Sequence, residues 1–383
     1  MGHRLHPAST VSTIVLACAS LLVLPRVPGH EHHTGHAAGA GHAQHPRAAD
    51  RYSQDHVIRG VSWEAGRRPV NDEDFHPLVA AGVEWIALVP YGFQRGTAEP
   101  GFAMPWSGRA FWGESDQGLR NTTEAAKRHG LRVMLKPQLW VHGRDSWVGD
   151  IAMHNEEDWS QWFENYSKFI VHYAELAEDA GIDLLSVGTE LEGTVAREQQ
   201  WRQIITAVRQ AYTGPLTYSA NWNRTYLRVG FWDALDYVGV NAYFPLHPGG
   251  DVATGGDLQI GTISSAALRQ AWNQHLTDLK ELQQRVGKPL IFTEAGYRSL
   301  SGSLAAPWQW RSKGNVDLQV QAAAYDALLA TFWRQPWFGG LFFWKWGAHR
   351  SGGPHDHGYT PRNKPAEEVM ARWYERPAGP GSR

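Results

Sequence analysis

The chain has 383 residues and a formal net charge of −2, and aromatic side chains make up 12% of it, including 19 tryptophans. This length suits one large barrel or two domains, and the nearly balanced charge gives no basis for nucleic-acid binding. The single cysteine leaves no intramolecular disulfide, so stability must come from a large hydrophobic core.

Residues 1–29 have the pattern of a secretory signal peptide. A short basic segment with Arg4 precedes an apolar stretch over residues 11–24, and residues 27–29 supply a cleavage site. The apolar stretch is short for a membrane span, so we expect a secreted or extracytoplasmic mature protein without a stable span. An uncleaved anchor is the alternative. Lipidation at Cys18 is not favoured, because apolar residues continue after it.

Residues 30–55 are predicted to be a disordered linker. Histidine, alanine and glycine dominate this segment, and such a composition cannot build a core. Binding of a transition metal by its histidines is the alternative. Residues 377–383 are predicted to be a disordered tail, which leaves residues 56–376 for the folded domain.

From residue 56 onward, β-prone segments alternate with helical ones. The eight strand candidates are Ile58–Glu64, Trp85–Phe93, Arg132–Trp140, Leu184–Glu190, Pro215–Trp222, Tyr237–Phe244, Pro289–Glu294 and Gly340–Trp346. Several are continuous apolar runs, which are typical of a parallel sheet covered by helices.

Helical patterns lie between these strands and after the last one. The clear helices are Asp72–Ala81, Thr122–His129, Asn155–Ala180, Gln199–Tyr212, Ser264–Val286, Asp317–Trp333 and Pro365–Tyr374, and residues 224–235 are only weakly helical. The aromatic stripe of the third helix is predicted to pack against the strands rather than to bind a ligand. Eight strands separated by helices predict a single-domain (β/α)8 TIM barrel.

Two glutamates stand at the ends of predicted strands, Glu190 at the fourth and Glu294 at the seventh. A carboxylate at the end of a buried strand is costly to desolvate unless it has a partner or a chemical task. Side-chain alternation places Glu294 on the face of Leu290 and Phe292, and Glu190 on the face of Gly188, and we expect both faces to point into the barrel. Two facing carboxylates are what glycosidic bond cleavage requires. An ion-paired structural role is the alternative for each.

Further polar and aromatic residues lie at or near predicted strand ends. They are Trp63, Glu64, Lys136, Gln138, Trp140, His142, Asn221 and Trp222. Flat aromatic surfaces stack on the apolar faces of sugar rings, so Trp140 and Trp222 are predicted sugar platforms. Lys136 is as consistent with a buried ion pair as with a sugar contact, and Glu64 is as consistent with a structural role as with a functional one.

Four motifs in this layout resemble those of a clan of retaining (β/α)8 glycoside hydrolases. They are Val187-Gly188-Thr189-Glu190-Leu191, Val240-Asn241-Ala242-Tyr243, Phe292-Thr293-Glu294-Ala295-Gly296-Tyr297 and Phe343-Trp344-Lys345-Trp346. Within the clan, the likeness is to glycoside hydrolase family 113, the family with endo-β-1,4-mannanases, and it covers roughly residues 56–375.

The resemblance implies roles for individual positions. Glu190 would be the acid/base, Glu294 the nucleophile, Tyr243 a donor to the nucleophile and Trp344 the floor of the subsite for the cleaved sugar. We add Trp346, from the same motif as Trp344, to the expected substrate contacts, together with Lys136, Trp140, His142, Asn221 and Trp222. The clan's sugar-binding asparagine before the acid/base is replaced here by Thr189, which leaves the partner of the sugar 2-hydroxyl open.

A loop with His349, His355, Asp356 and His357 follows the eighth strand and invites a metal-binding interpretation. The first strand lacks the His-x-His of amidohydrolase-type barrels, so we predict a polar cleft loop and neither metal nor cofactor. The expected protein is a secreted, monomeric retaining glycoside hydrolase that cleaves a β-linked polysaccharide or oligosaccharide, with β-1,4-mannan the preferred substrate. The alternatives are an inactive carbohydrate-binding barrel and an extracytoplasmic metal-binding protein.

Overall fold

The computed structural model describes residues 57–104, 111–143, 146–246, 265–347 and 352–376. The predicted signal peptide, linker and tail and also His349 lie outside the described residues. Within the described ranges, no helix combines the length and the hydrophobicity that a membrane crossing needs.

Eight parallel strands close into a barrel, which confirms the predicted fold class. In chain order the strands are β1 (Ile58–Glu64), β2 (Trp85–Leu88), β3 (Tyr91–Gln94), β4 (Phe102–Ala103), β5 (Arg132–Leu135), β6 (Gln138–Val141), β7 (Leu184–Thr189), β8 (Leu216–Asn221), β9 (Val238–Asn241), β10 (Leu290–Ala295) and β11 (Phe338–Gly347). The barrel order is β1-β11-β10-β9-β8-β7-β5-β2, and β2 pairs with β1 to close it. Glu190 follows the fourth barrel strand and Glu294 lies near the end of the seventh, as the sequence predicts.

The helices surround this barrel. They are α1 (His76–Ala80), α2 (Asp116–Arg128), α3 (Glu156–Ala180), α4 (Glu198–Ala211), α5 (Thr225–Arg228), α6 (Ser265–Val286), α7 (Leu318–Phe332) and α8 (Pro365–Tyr374). The side chain of Asn155 caps α3 at its start, and Gly181 ends it with a φ of 65°. The rings of Trp162, Tyr166 and Phe169 are buried, so the aromatic stripe of α3 serves packing, as predicted.

The second and third predicted strands are each interrupted, which the sequence analysis did not foresee. A proline has no N–H for the hydrogen-bond ladder, and Pro90 and Pro137 stand at the two breaks. Beyond the breaks, β3 pairs in parallel with β6 and antiparallel with β4 in a separate three-stranded sheet. This sheet carries Gln138 and Trp140 beyond the third barrel strand.

The predicted side-chain alternation at β10 is wrong. Ile291 belongs to the apolar cluster inside the barrel, whereas the ring of Phe292 lies 4.8 Å from that of Phe332 on α7 and faces the helices. The register with β9 shifts between Phe292 and Glu294. Such an irregularity re-aims the following side chain, and it turns Glu294 toward the barrel axis.

A similar irregularity precedes Glu190. A Cβ on Gly188 would lie 2.8 Å from the ring of Trp201 on α4, so this position faces the helices rather than the barrel interior. The register with β8 shifts between Ser186 and Thr189. Glu190 then adopts a φ of 57°, a left-handed conformation that is uncommon for a residue with a Cβ. Both carboxylates therefore reach the cavity through local irregularities and not through regular alternation.

Candidate active site

Glu294 lies in a buried pocket lined by hydrogen-bond donors. Its side chain is nearly inaccessible, with the residue 5% exposed. The Tyr243 hydroxyl donates to Oε2 at 2.6 Å, as the family resemblance implies, and Nε2 of Gln138 donates to Oε1 at 3.0 Å. The Lys136 ammonium forms an ion pair with the same Oε1. All three donors interact with a negative charge on Glu294.

Lys136 comes directly before the proline that ends β5. It is fully buried, and its partner is the Glu294 carboxylate, so the ion pair that the sequence left open is present. Its Nζ also lies 5.7 Å from the centroid of the Trp344 ring. Breaking one side of a buried pair leaves an uncompensated charge, which makes each partner dependent on the other.

Glu190 has fewer charge-stabilising contacts and is partly buried. Nδ2 of Asn241 donates to Oε1 at 2.9 Å, and Nε1 of Trp147 donates to Oε2 at 3.4 Å. Burial raises the pKa of the Glu190 carboxyl, and the negative charge of Glu294 raises it further. The two donors and the Lys136 charge offset only part of that rise in pKa.

Asn241 fixes the position of Glu190 relative to β10. Its side chain is fully buried, and its Oδ1 accepts a hydrogen bond from the Thr293 hydroxyl at 2.8 Å. Because the carbonyl end is engaged there, the amide N–H₂ must face Glu190. The Cα atom of Asn241 is also the register partner of Glu294, so both carboxylates lie at the same level of the barrel.

Three residues at the ends of β1 and β11 form the neighbouring wall. Trp344 is half-buried, and the Lys345 ammonium lies 5.5 Å from its ring centroid. Lys345 donates to Oε1 of Glu64 at 2.7 Å, which assigns Glu64 an ion-pair partner. Trp346, by contrast, has no exposed surface and packs in the hydrophobic core, so its environment is that of a structural residue.

The three-stranded sheet presents an aromatic surface beside the barrel. Trp140 is 46% exposed, and its ring packs edge-to-face on Tyr91 with centroids 6.4 Å apart. His142 is exposed, and its ring lies 6.1 Å from that of Phe93. Burial is the main cause that raises the pKa of the Tyr91 hydroxyl, and the negative charge of Glu294 raises it further.

A second aromatic surface follows β8. Asn221 is buried, and its Oδ1 accepts the backbone N–H of Trp222 at 2.9 Å. The Trp222 ring stacks on Trp308, with centroids 4.4 Å apart. Trp308 comes from the loop after β10 and covers one face of Trp222, so the two rings form a joint surface.

Sequence reasoning missed several residues around the carboxylates. Asn241 lies within a recognised motif two positions before Tyr243, and this two-residue spacing in a β-prone segment is the signal that could have found it. Trp147 lies in an irregular loop, where no periodicity marks its direction. Glu114 lies in the loop before α2; burial raises its pKa to about 7, and the nearby Lys345 charge lowers it only in part.

The predicted cleft loop after β11 is held by a lysine. Lys364 is 3% exposed, and its ammonium donates to Asp356 Oδ1 at 2.8 Å and to the Ser299 hydroxyl at 2.7 Å. Asp356 is thus part of an ion pair that anchors the loop. Across the described part of the chain, no group of three or more His, Cys, Asp or Glu side chains is arranged to hold a metal ion.

The two carboxylates are suited to different chemistry. Glu294 has a cation and two neutral donors around its oxygens, whereas burial and a like charge favour the protonated form of Glu190. A pair of carboxyls whose surroundings differ in this way can divide the roles of nucleophile and proton donor.

Comparison with known proteins identifies a glycoside hydrolase family. The model of Glycoside Hydrolase Family 113 matches residues 63–364. The structure of the GH113 β-mannanase AaManA from Alicyclobacillus acidocaldarius superposes with a TM-score of 0.70 at 30% identity, covering 83% of this chain and 97% of that one. A second GH113 β-1,4-mannanase structure has a TM-score of 0.70 at 25% identity, over 84% and 100% of the two chains.

A more distant structure shares the fold alone. The Glycoside Hydrolase Family 5 mannosidase from Rhizomucor miehei has a TM-score of 0.58 at 11% identity, covering 83% of this chain and 92% of that one. A sequence search of curated proteins gave no match.

Proposed function

Because the chain belongs to Glycoside Hydrolase Family 113, we propose that it is a secreted, retaining β-1,4-mannanase with Glu294 as nucleophile and Glu190 as acid/base. The contrast between the surroundings of the two carboxylates carries this proposal. The Lys136 ion pair and two neutral donors favour an ionised Glu294, and a raised pKa keeps a proton on Glu190.

In the first step, a Glu294 oxygen attacks the anomeric carbon as the glycosidic bond breaks. The Glu190 proton moves to the departing oxygen, so the leaving sugar departs as a neutral alcohol. The products of this step are a glycosyl ester on Glu294 and an ionised Glu190. The attack requires one Glu294 oxygen to exchange part of its hydrogen bonding for the new bond.

In the second step, Glu190 takes a proton from water as the water oxygen attacks the anomeric carbon. Esterified Glu294 carries no charge, so one of the causes that raise the pKa of Glu190 is absent. The pKa of Glu190 therefore falls when the side chain has to stay ionised and act as a base. Hydrolysis of the ester restores the Glu294 carboxylate and the Glu190 proton, and the anomeric configuration is retained.

The walls of the site are suited to a chain of sugars. Trp344 offers a partly exposed ring beside the Lys136–Glu294 pair, which supports a role as the floor under the cleaved sugar. Trp140 and the Trp222–Trp308 pair offer further exposed aromatic surface. Such rings stack on the apolar faces of β-linked sugars, and the matched family structures are described as mannanases.

A hydrolysis screen tests the proposal. Purified protein incubated with β-1,4-mannan, β-glucan and xylan should release reducing ends fastest from mannan. NMR of the first products should show the β-anomer before mutarotation. The matched variant Glu294→Ala should release no reducing ends from any of the three glycans. Faster cleavage of another glycan would overturn the substrate, and first products in the α-configuration would overturn the double displacement.

Secretion is proposed from the segment over residues 1–29. Expression of the full chain in a bacterial host should give mature protein outside the cytoplasm, and mass spectrometry should locate the new N-terminus near residue 30. A product that keeps residue 1 and stays in the cytoplasm would overturn this part of the proposal.

A further inference from the structure

A sugar held on Glu294 places its 2-hydroxyl one carbon away from the reacting centre. Positive charge develops on the anomeric carbon in the transition state, and this charge makes the neighbouring 2-hydroxyl a stronger donor. Hydrogen bonds to this hydroxyl therefore strengthen in the transition state. An acceptor beside Glu294 would therefore form a hydrogen bond that is stronger in the transition state than in the ground state.

The residue before the acid/base is almost inaccessible to a substrate. Thr189 is 3% exposed, and its hydroxyl donates to the Pro137 carbonyl oxygen at 3.3 Å. Asn241 has no exposed surface, and its carbonyl already accepts from Thr293 while its amide donates to Glu190. Lys136 has donors only.

Gln138 is the remaining amide at the nucleophile. As the first residue of β6, it is partly buried, and its Nε2 donates to Glu294 Oε1 at 3.0 Å. Its side-chain oxygen accepts no hydrogen bond from the residues that the structure describes, although the amide is held in place by Glu294. An oriented amide with a vacant acceptor thus lies beside the nucleophile.

We propose that Gln138 is a substrate-binding residue that accepts a hydrogen bond from the 2-hydroxyl of the sugar being cleaved. Its N–H remains on Glu294, so one amide connects the nucleophile to the hydroxyl next to the anomeric carbon. This inference rests on the proposed function, since it assumes that Glu294 attacks that sugar.

The test combines a change in the enzyme with a change in the substrate. The variant Gln138→Met has a similar shape but no hydrogen-bonding group. The substrate pair is an aryl β-mannobioside and its analogue without the 2-hydroxyl on the ring that bears the aryl group. For wild type and for Gln138→Met, kcat/KM of the aryl mannobioside is divided by kcat/KM of its analogue without the 2-hydroxyl. Intrinsic differences in substrate reactivity cancel when the two ratios are compared.

If Gln138 binds the 2-hydroxyl, the wild-type ratio should exceed that of Gln138→Met by about 10-fold or more, since the variant has already lost the interaction. Gln138→Asn should also lower the ratio, because the shorter side chain cannot reach both partners. Equal ratios in wild type and Gln138→Met would overturn the inference, because Gln138 would then act only through Glu294.

Thr189→Val is the matched control. It removes a hydroxyl next to Glu190 that the structure directs at a backbone carbonyl, so the substrate ratio should stay at the wild-type value. A drop in this variant alone would assign the 2-hydroxyl to Thr189 and overturn the inference. If wild type cleaves neither the aryl mannobioside nor mannan, the proposed function itself fails, and that result is distinct from equal ratios in an active enzyme.

Discussion

The surroundings of Glu294 and Glu190 differ although both side chains point into one cavity. Glu294 is 5% exposed and lies in contact with an ammonium, a phenol and an amide. Glu190 receives one amide and one more distant indole N–H, and it has no cation as a direct partner among the described residues. Two identical side chains thus have different charged neighbours, and the surroundings of Glu190 raise its pKa.

The two carboxyls are both buried but differ in whether a cation contacts them directly. Burial is the main reason why the pKa of Glu190 is raised. Glu294 is at least as buried, but its charge is compensated by Lys136, which is itself fully buried. The lysine that directly follows β5 is therefore as important to the division of roles as the glutamates.

The largest expected effect comes from removing each carboxylate. Glu294→Ala should abolish cleavage of every substrate, because no nucleophile remains. Glu190→Ala should lower cleavage of mannan by about 10²–10⁴-fold. It should retain formation of the glycosyl ester from an aryl mannobioside with an acidic leaving group, which needs no protonation. Burst kinetics with that substrate measure the difference; a burst in Glu294→Ala, or none in Glu190→Ala, would reverse or remove the assigned roles.

Breaking the buried ion pair should have the next largest effect. Lys136→Met leaves the Glu294 carboxylate buried without its charged partner, which should cost about 3–5 kcal/mol of unfolding free energy. The double variant Lys136→Met/Glu294→Gln should lose less than the sum of the single losses. Urea unfolding of the four proteins provides the comparison.

Lys345→Met is the control for that series. The Lys345–Glu64 pair has similar geometry at 2.7 Å, but its side chains are 30% and 22% exposed. Solvent screens such a pair, so its loss should cost about 1 kcal/mol or less. Equal losses in Lys136→Met and Lys345→Met would contradict the importance assigned to burial of the Lys136 pair.

The barrel could be predicted from the sequence because eight apolar runs alternate with segments that are mostly of clear helical periodicity. Most helix ends were also predictable, since Asn155, Gly181 and Asp317 act locally as caps. The broken strands were not foreseen, although Pro90 and Pro137 were visible, because apolar residues resume within two positions of each proline. The separate sheet that results depends on pairing between distant segments, which no local pattern records.

The two glutamates could be located for a reason that was only half right. Their positions at strand ends were readable, but regular alternation would leave Glu294 on the face of Phe292, which points toward the helices. Register shifts in β7 and β10 bring them into the cavity, and such shifts depend on pairing with neighbouring strands. Trp147 could not be found at all, because its loop has no periodic pattern.

Removing the phenol that touches Glu294 should have a moderate effect. Tyr243→Phe deletes the donor at 2.6 Å from Oε2, and a hydrogen bond to a charged group is worth about 1.5–3 kcal/mol. We expect kcat/KM to fall by about 10–100-fold. Tyr297→Phe is the matched control, because that buried hydroxyl donates to a backbone carbonyl and not to a carboxylate. Similar losses in both variants would indicate general damage to the fold.

The smallest and most specific effect concerns the pKa of Glu190. The negative charge of Glu294 disfavours a second negative charge nearby, so it raises the pKa of Glu190. Glu294→Gln removes that charge, so the pKa of Glu190 should fall, while the rise that burial causes remains. Carboxyl-carbon NMR titration of Glu190 measures the shift, and Glu64→Gln, which removes a charge elsewhere on the rim, should leave it unchanged.

The same measurement separates a fixed environment from one that changes during the reaction. A slowly hydrolysed glycosyl ester on Glu294 removes the same negative charge as Glu294→Gln, so both should lower the pKa of Glu190. In the free enzyme the raised pKa keeps the proton donor active toward higher pH, and activity should fall as pH rises through that pKa. If the ester leaves the pKa of Glu190 unchanged, the charge of Glu294 cannot be what switches Glu190 from acid to base. The surroundings of the two glutamates would then set their roles independently of each other.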